Sequence, residues 1–140
     1  MPTPNKFQRK RFDRVLRQLP EAAKQELREA LSRAAELVTN TQRSYAPVDD
    51  GTLQASIRHE PVSEQEGKIA VAIKAGGIST TRPVRNGQSI TYDYALAQEF
   101  GTQDQPANPF FFPAYRVTKK RVKGRVTRAV KKAAQRAAAV

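Results

Sequence analysis

Between Pro20 and Pro47 the apolar residues recur at helical spacing, and this run limits the fold more than any other stretch. Leu27, Ala30, Leu31, Ala34, Leu37 and Val38 follow an i, i+3, i+4, i+7 pattern, while Lys24, Glu26, Arg28, Glu29, Arg33 and Glu36 lie opposite. An amphipathic helix of this kind needs a second apolar layer to cover its stripe. Pro20 suits the first turn, where a missing N–H costs nothing. Glu21 adds negative charge near the positive end of the helix dipole. Pro47 biases Ala46 toward extended backbone, so the helix is expected to end near Ser44.

The covering layer reads as antiparallel strands. From Thr52 to Val62 the chain alternates: Leu53, Ala55 and Ile57 point one way, Thr52, Gln54 and Arg58 the other. Lys68 to Lys74 repeats the pattern with Ile69, Val71 and Ile73, and Glu64-Gln65-Glu66-Gly67 is the turn between them. Asn86-Gly87 is a strong hairpin signal and is expected to join a strand near Ile78–Val84 to one near Gln88–Tyr94. Pro83 confines its strand to an edge or ends it. Gly76-Gly77 and Thr80-Thr81 suggest a mobile excursion.

Asp93 to Phe100 then reads as a short helix stopped by Gly101, and Gln103 to Asn108 as a polar loop. Pro113 is expected to start the last helix, with Tyr115, Val122, Val126, Ala129, Val130 and Ala133 on one side and Lys and Arg over most of the rest. Gly124 weakens that helix by about 1 kcal/mol relative to Ala. At the other end, residues 1–6 form a polar arm. Phe7 to Leu19 reads as a short basic helix, with apolar residues at 12, 15, 16 and 19. The fold class is α+β: an antiparallel sheet of about four strands in two hairpins, packed by a long N-terminal helix and a basic C-terminal helix. One domain is expected over 20–135, after a basic arm or short helix at 1–19 and before an end segment at 136–140.

A chain of 140 residues suits one domain. At 39% hydrophobic, with ten aromatics and many of its apolar residues Ala, its core is lean. Part of the stability is therefore expected from neighbouring subunits. The absence of cysteine excludes disulfides and thiolate metal sites. No apolar run approaches the ~18 residues of a membrane span, and the N-terminus lacks the apolar core of a signal peptide. The chain is expected to be made and used in the cytoplasm, without cofactor or metal.

The net charge of +12 is concentrated at the ends. Residues 1–20 hold six Lys/Arg against Asp13, and residues 114–140 hold ten and no acid. The stretch 21–113 has nine basic and twelve acidic residues, a net of −3. Such ends attract nucleic acid or an acidic protein surface. The plainer reading is a solvated, solubilising face.

Catalysis has little to stand on. His59 is the single histidine, with no partner that the sequence identifies as completing a nucleophilic triad. Asp49-Asp50 is the sole adjacent acidic pair, and its Pro/Gly setting is that of a turn. No phosphate-cradling glycine loop or HxxxH pattern occurs. The chain is expected not to be an enzyme.

Three segments remain: Pro47-Val48-Asp49-Asp50-Gly51-Thr52-Leu53-Gln54-Ala55-Ser56-Ile57, Tyr94 through Glu99-Phe100-Gly101-Thr102, and Pro106-Ala107-Asn108-Pro109-Phe110-Phe111-Phe112-Pro113-Ala114. Singly they are a turn into a strand, a helix end with Phe100 in the core, and a loop whose three aromatics cannot all enter one core. In this order they resemble the head–tail joining, neck or tail-completion proteins of long-tailed bacteriophages, also called minor tail components, over about residues 20–135. The matching positions are Pro47, Asp49, Gly51, Leu53, Ser56 and Ile57; Tyr94, Glu99, Phe100, Gly101 and Thr102; and Pro106, Ala107, Pro109, Phe110, Pro113 and Ala114. Asp50 stands where a small polar residue is common and Gln54 where Arg is common. The basic extension after Ala114 is heavier than the pattern requires.

The resemblance implies a virion protein assembled in the host cytoplasm. It would form a homo-oligomeric ring between the head's connector or stopper and the tail tube or terminator, with genomic DNA passing through. Candidate contact residues are Arg82, Arg85 and Asn86; Gln103 and Asp104; Phe110, Phe111 and Phe112; and Lys119, Lys120, Arg121, Lys123 and Arg125. For the last group an acidic neighbouring ring is favoured over DNA, which a channel should not grip. The alternative is a small basic nucleic-acid-binding module. It is disfavoured because the aromatics cluster between prolines and are not interleaved with Lys or Arg.

Overall fold

The computed structural model describes residues 6–65, 67–85, 87 and 89–138. Two long helices form its frame. Helix α2 (Glu21–Tyr45) follows the short basic helix α1 (Lys6–Gln18), with Pro20 at its N-cap. Helix α5 (Phe111–Ala138) runs antiparallel to α2: the Gln42 amide of α2 donates to the Phe111 carbonyl at one end (3.2 Å), and Glu26 pairs with Arg136 at the other. Ala34, Ala35, Val38 and Thr39 of α2 and Ala114, Thr118 and Ala133 of α5 are buried. Side chains this small let the two helices approach closely. Tyr115, expected on the buried side of α5, is exposed; the helix turns Ala114 and Thr118 inward instead.

The apolar stripe of α2 is used as the periodicity predicts. Leu27 and Ala23 form one core cluster with Leu19 and Ala133, flanked by Leu16, Ile69, Ala129, Val130 and Ala137. The basic helix α1 is thereby held against the far end of α5. A second cluster, at the other end of α2, joins Ala46, Leu53, Ile57, Ala95 and Phe110.

One expectation is overturned. Thr52–Ser56 is a helical turn, α3, and not the start of a strand. Gly51 enters it at φ +82°, and Asp50 accepts a hydrogen bond from the Thr52 N–H (2.9 Å). This bond holds the Asp50 carboxyl below its usual range. Leu53, Ser56 and Ile57 are buried at i, i+3, i+4, whereas Ala55 faces solvent. The chain thus takes the helical period in a run that also fits alternation.

The strands are antiparallel, and among the described residues they fall into three two-stranded ladders. β1 (Arg58–His59) pairs with β4 (Ile73–Lys74), and β2 (Ser63–Gln65) with β3 (Lys68–Ala70). These are two parts of the first expected hairpin. The Glu60 N–H donates to the Ala72 carbonyl (2.9 Å), and Ser63 lies opposite Ala70. Pro61 and Val62 therefore face Val71 alone, a bulge that divides the ladder. The second hairpin is present as β5 (Thr81–Pro83) against β6 (Thr91–Asp93), with its register centred on Gly87. Asn86 and Gln88 lie outside the described residues. Helix α4 (Tyr94–Phe100) follows at once.

The tip of the first hairpin is fastened to α2 electrostatically. Glu64 accepts from Lys24 (3.1 Å) and from Arg28 (2.5 Å), and Arg28 also reaches Glu21 (2.7 Å). The hydrogen bonds from Lys24 and Arg28 hold the Glu64 carboxyl below its ordinary 4.5. The unfolded chain therefore takes up this proton first. The stabilisation is complete above pH 4.5 and is lost as pH falls through the lowered folded value. On acidification below that range, hydrogen-exchange protection factors over Ser63–Ala70 are expected to drop before those of the α2–α5 pair. Added salt should weaken the effect. Unchanged hairpin protection down the same pH series would refute it.

Candidate functional site

The three segments singled out in the sequence meet around α4, and two carboxylates at its ends fix their arrangement. At the N-terminal end, Asp93 is the N-cap. Its Oδ1 accepts from the Ala95 N–H (2.9 Å) and from the Thr80 hydroxyl (2.6 Å), and its Oδ2 from the Gly77 N–H (3.1 Å). Thr80 is fully buried and its oxygen also receives the Gly77 N–H (3.0 Å). Gly76 is tied to the first segment: its N–H donates to the Ser56 hydroxyl (3.0 Å), and its carbonyl accepts from Arg58 (2.9 Å). The Gly76–Thr80 stretch, expected to be mobile, is thus hydrogen-bonded into the body at both ends.

At the other end of α4, Glu99 reaches across to the start of α5. Its Oε2 accepts the N–H groups of Phe110 (2.8 Å) and Phe111 (2.9 Å), and its Oε1 accepts that of Phe112 (3.1 Å). A helix start leaves four N–H groups without partners. Here the carboxylate takes three, and Pro113 has none to offer. The negative charge also faces the positive end of the α5 dipole. Gly101 makes the crossing possible. It sits at φ +76°, and a Cβ there would lie 2.8 Å from the Ala107 backbone nitrogen. The return path is closed by the Asn108 N–H donating to the Gln98 carbonyl (2.7 Å).

This bracing sets the three phenylalanines in different surroundings. Phe110 is only 1% exposed, packed in the cluster with Leu53 and Ile57, so it is core and cannot itself offer a surface contact. Phe111 is half-buried, edge-on to Phe110 and Phe112. Phe112 is 44% exposed, with its ring centroid 6.2 Å from that of Phe100. Phe100, which a plain helix-end reading would place in the core, is 65% exposed. Leu96, one turn before it on α4, is 60% exposed. Leu96, Phe100 and Phe112 form an apolar ledge. Beneath it is an open groove of about 480 Å³, walled by Arg58, Ile73, Lys74 and Ala75. Monomers rarely leave such clustered apolar side chains uncovered without a use for them.

The polar candidates lie elsewhere on the surface. Arg82 is exposed, with its guanidinium 5.4 Å from the Tyr94 ring centroid and donating to the Ser79 carbonyl (2.7 Å). Arg85, Gln103 and Asp104 are exposed, and Asn86 lies outside the described residues. Lys119, Lys120, Arg121, Lys123 and Arg125 are exposed on α5. Leu96 was missed by sequence reasoning. Its signal was the four-residue spacing to Phe100, which puts both on one face of α4. Among the described residues, no group of three or more His, Cys, Asp or Glu could hold a metal ion, and no helix is long and apolar enough to cross a membrane.

A family profile described as "Bacteriophage HK97-gp10, putative tail-component" matches residues 10–101. The match covers more than half of the sequence, and the chain belongs to this family of phage tail components. Its setting is the virion, among other phage structural proteins. The matched span runs from α1 to Gly101; the Pro106–Ala114 segment and α5 follow it. Comparison with curated proteins and with solved structures gave no match.

Proposed function

We propose that this chain is a subunit of the phage neck, forming a ring that joins the DNA-filled head to the tail tube or completes the tail. The observation that carries this reading is the uncovered ledge of Leu96, Phe100 and Phe112. Its proposed occupant is a neighbouring copy of the same chain, since repeated heterologous contacts that close make rings. A lean core fits the same reading, because contacts between copies add the burial that one chain lacks. In this reading the chain works by assembly and not by catalysis. Asp50 serves the α3 turn, and Asp93 and Glu99 serve backbone N–H groups.

The test is genetic. The gene is deleted from the phage or prophage that carries it, particles are induced, and the lysate is imaged by negative-stain electron microscopy. The expected result is filled heads and separate finished tails. Complete, normal virions would overturn the proposal.

A further inference from the structure

The fold brings the two basic ends of the chain together. Leu16 of α1 and the adjoining Leu19 pack with Ala129, Val130, Ala133 and Ala137 of α5. The exposed cations Lys10, Arg11, Arg14 and Arg17 of α1 are thereby carried to the same end of the molecule as those of the C-terminal half of α5. Helix α5 has 28 residues and is about 42 Å long. It carries ten Lys/Arg and no acid. Among the described residues, only Arg136 of these ten forms an ion pair.

Between α2 and α5 three arginines share one hollow. Arg33, Arg125 and Arg128 line one surface depression of about 250 Å³, with Ala30 as its remaining wall. Glu29 and Glu36 are on the same helix as Arg33, yet none of the three arginines forms an ion pair among the described residues. Three like charges around one hollow repel one another, and folding alone gains nothing from holding them there. An anion in the hollow turns that repulsion into attraction.

We infer that the cationic surface running from this end along α5 binds the phosphate backbone of duplex DNA, with Arg33, Arg125 and Arg128, midway along the α2–α5 pair, at its centre. Two features favour DNA over an acidic protein. Duplex DNA offers one charge per about 1.7 Å of axis, so a long, evenly charged helix meets phosphates along its whole length. Protein interfaces favour Arg but are depleted in Lys, which supplies five of the ten cations of α5, and they rely on desolvated aromatic anchors. On α5 the exposed large apolar side chains, Phe112, Tyr115 and Val117, all lie near its N-terminal end, away from the arginine cluster. Contacts of this kind carry no sequence preference and allow sliding, so they are compatible with a strand that must move.

The test uses the purified full chain and a fluorescent DNA duplex of about 30 base pairs, followed by anisotropy across a salt series. About six phosphate contacts give a slope of log K on log salt near −5, a loss of about 10³-fold between 50 and 200 mM salt. The triple variant Arg33→Gln, Arg125→Gln, Arg128→Gln is expected to make the slope shallower by about 3 and to weaken low-salt binding by about 10²-fold or more. Its thermal midpoint should be unchanged or higher, since the variant removes repulsion. Poly-glutamate, the stand-in for an acidic protein surface, should bind much more weakly than the duplex at equal salt. A shallow slope, a triple variant that binds like the parent, or equal binding of poly-glutamate would each overturn the inference. Because the assay needs no assembled particle, it fails or succeeds independently of the neck proposal.

Discussion

Replacing Glu99 by Ala is expected to destabilise the chain by about 3–5 kcal/mol, a large part of the 5–15 kcal/mol typical of a domain. Three backbone N–H groups lose their acceptor together. Each unsatisfied buried donor costs about 1–3 kcal/mol, and the lower part of the range applies where water can enter near Phe112. The loss also removes a negative charge from the α5 N-terminus, about 0.3–1 kcal/mol at such sites. Phe110 immediately precedes α5 and Phe111 begins it, so their core contacts loosen with the cap.

Glu99→Gln separates the terms. It keeps one oxygen, loses the charge, and points an NH₂ group at backbone donors; about 2 kcal/mol is expected. The check is denaturant unfolding of the three proteins, with hydrogen exchange at the Phe110–Phe112 amides. A Glu99→Ala protein within about 1 kcal/mol of the parent, with those amides still protected, would show that the carboxylate is not the cap.

This cap also shows what the sequence could and could not reveal. The α2 helix was legible because its signal is periodic and long. The second hairpin was legible because Asn-Gly is a local code. Glu99 read as part of a helix end, since its partners lie 11 to 13 residues away beyond a loop. A residue's hydrogen-bond partner across such a loop leaves no periodic trace. Thr52–Ser56 failed for another reason. Leu53-Ala55-Ile57 satisfies a period of two and Leu53-Ser56-Ile57 a helical turn, so the run alone does not choose between them; the burial of Leu53 and Ile57 in one cluster and the local Asp50–Thr52 bond belong to the helical form.

The surface was harder still. Three consecutive phenylalanines announced that one must leave the core, but which one depends on where α5 starts. Phe111 opens the helix two residues before Pro113, and that phase sends Phe110 inward and Phe112 outward. A plain helix-end reading puts Phe100 in the core because a large aromatic side chain is apolar. Here Ala95, Ala97 and Glu99 are the buried residues of α4, and Phe100 shares an exposed face with Leu96. Charge, by contrast, was visible from composition alone. Its joining at one end of the molecule was not, because it depends on α1 packing against α5 across more than a hundred residues of chain.

The ledge gives the second large expected effect. Phe100→Ser combined with Phe112→Ser should leave the isolated chain folded, since both side chains are substantially exposed and surface changes usually stay within about 0.5 kcal/mol. Assembly should respond very differently. If each ring anchors a contact between copies, truncation costs about 2 kcal/mol per side chain, or about 10³-fold in association for the pair. Around a closed ring the loss repeats at every contact, so the double variant should fail to complement the deleted phage, leaving heads and tails apart. Melting of the purified variant guards against misfolding as the cause. Full complementation by a normally folded double variant would remove the ledge from the assembly surface. Failure of Leu96→Ser and Phe100→Ser together, beside normal function of Tyr115→Ser with Val117→Ser, would confine the contact to the face braced by Asp93 and Glu99.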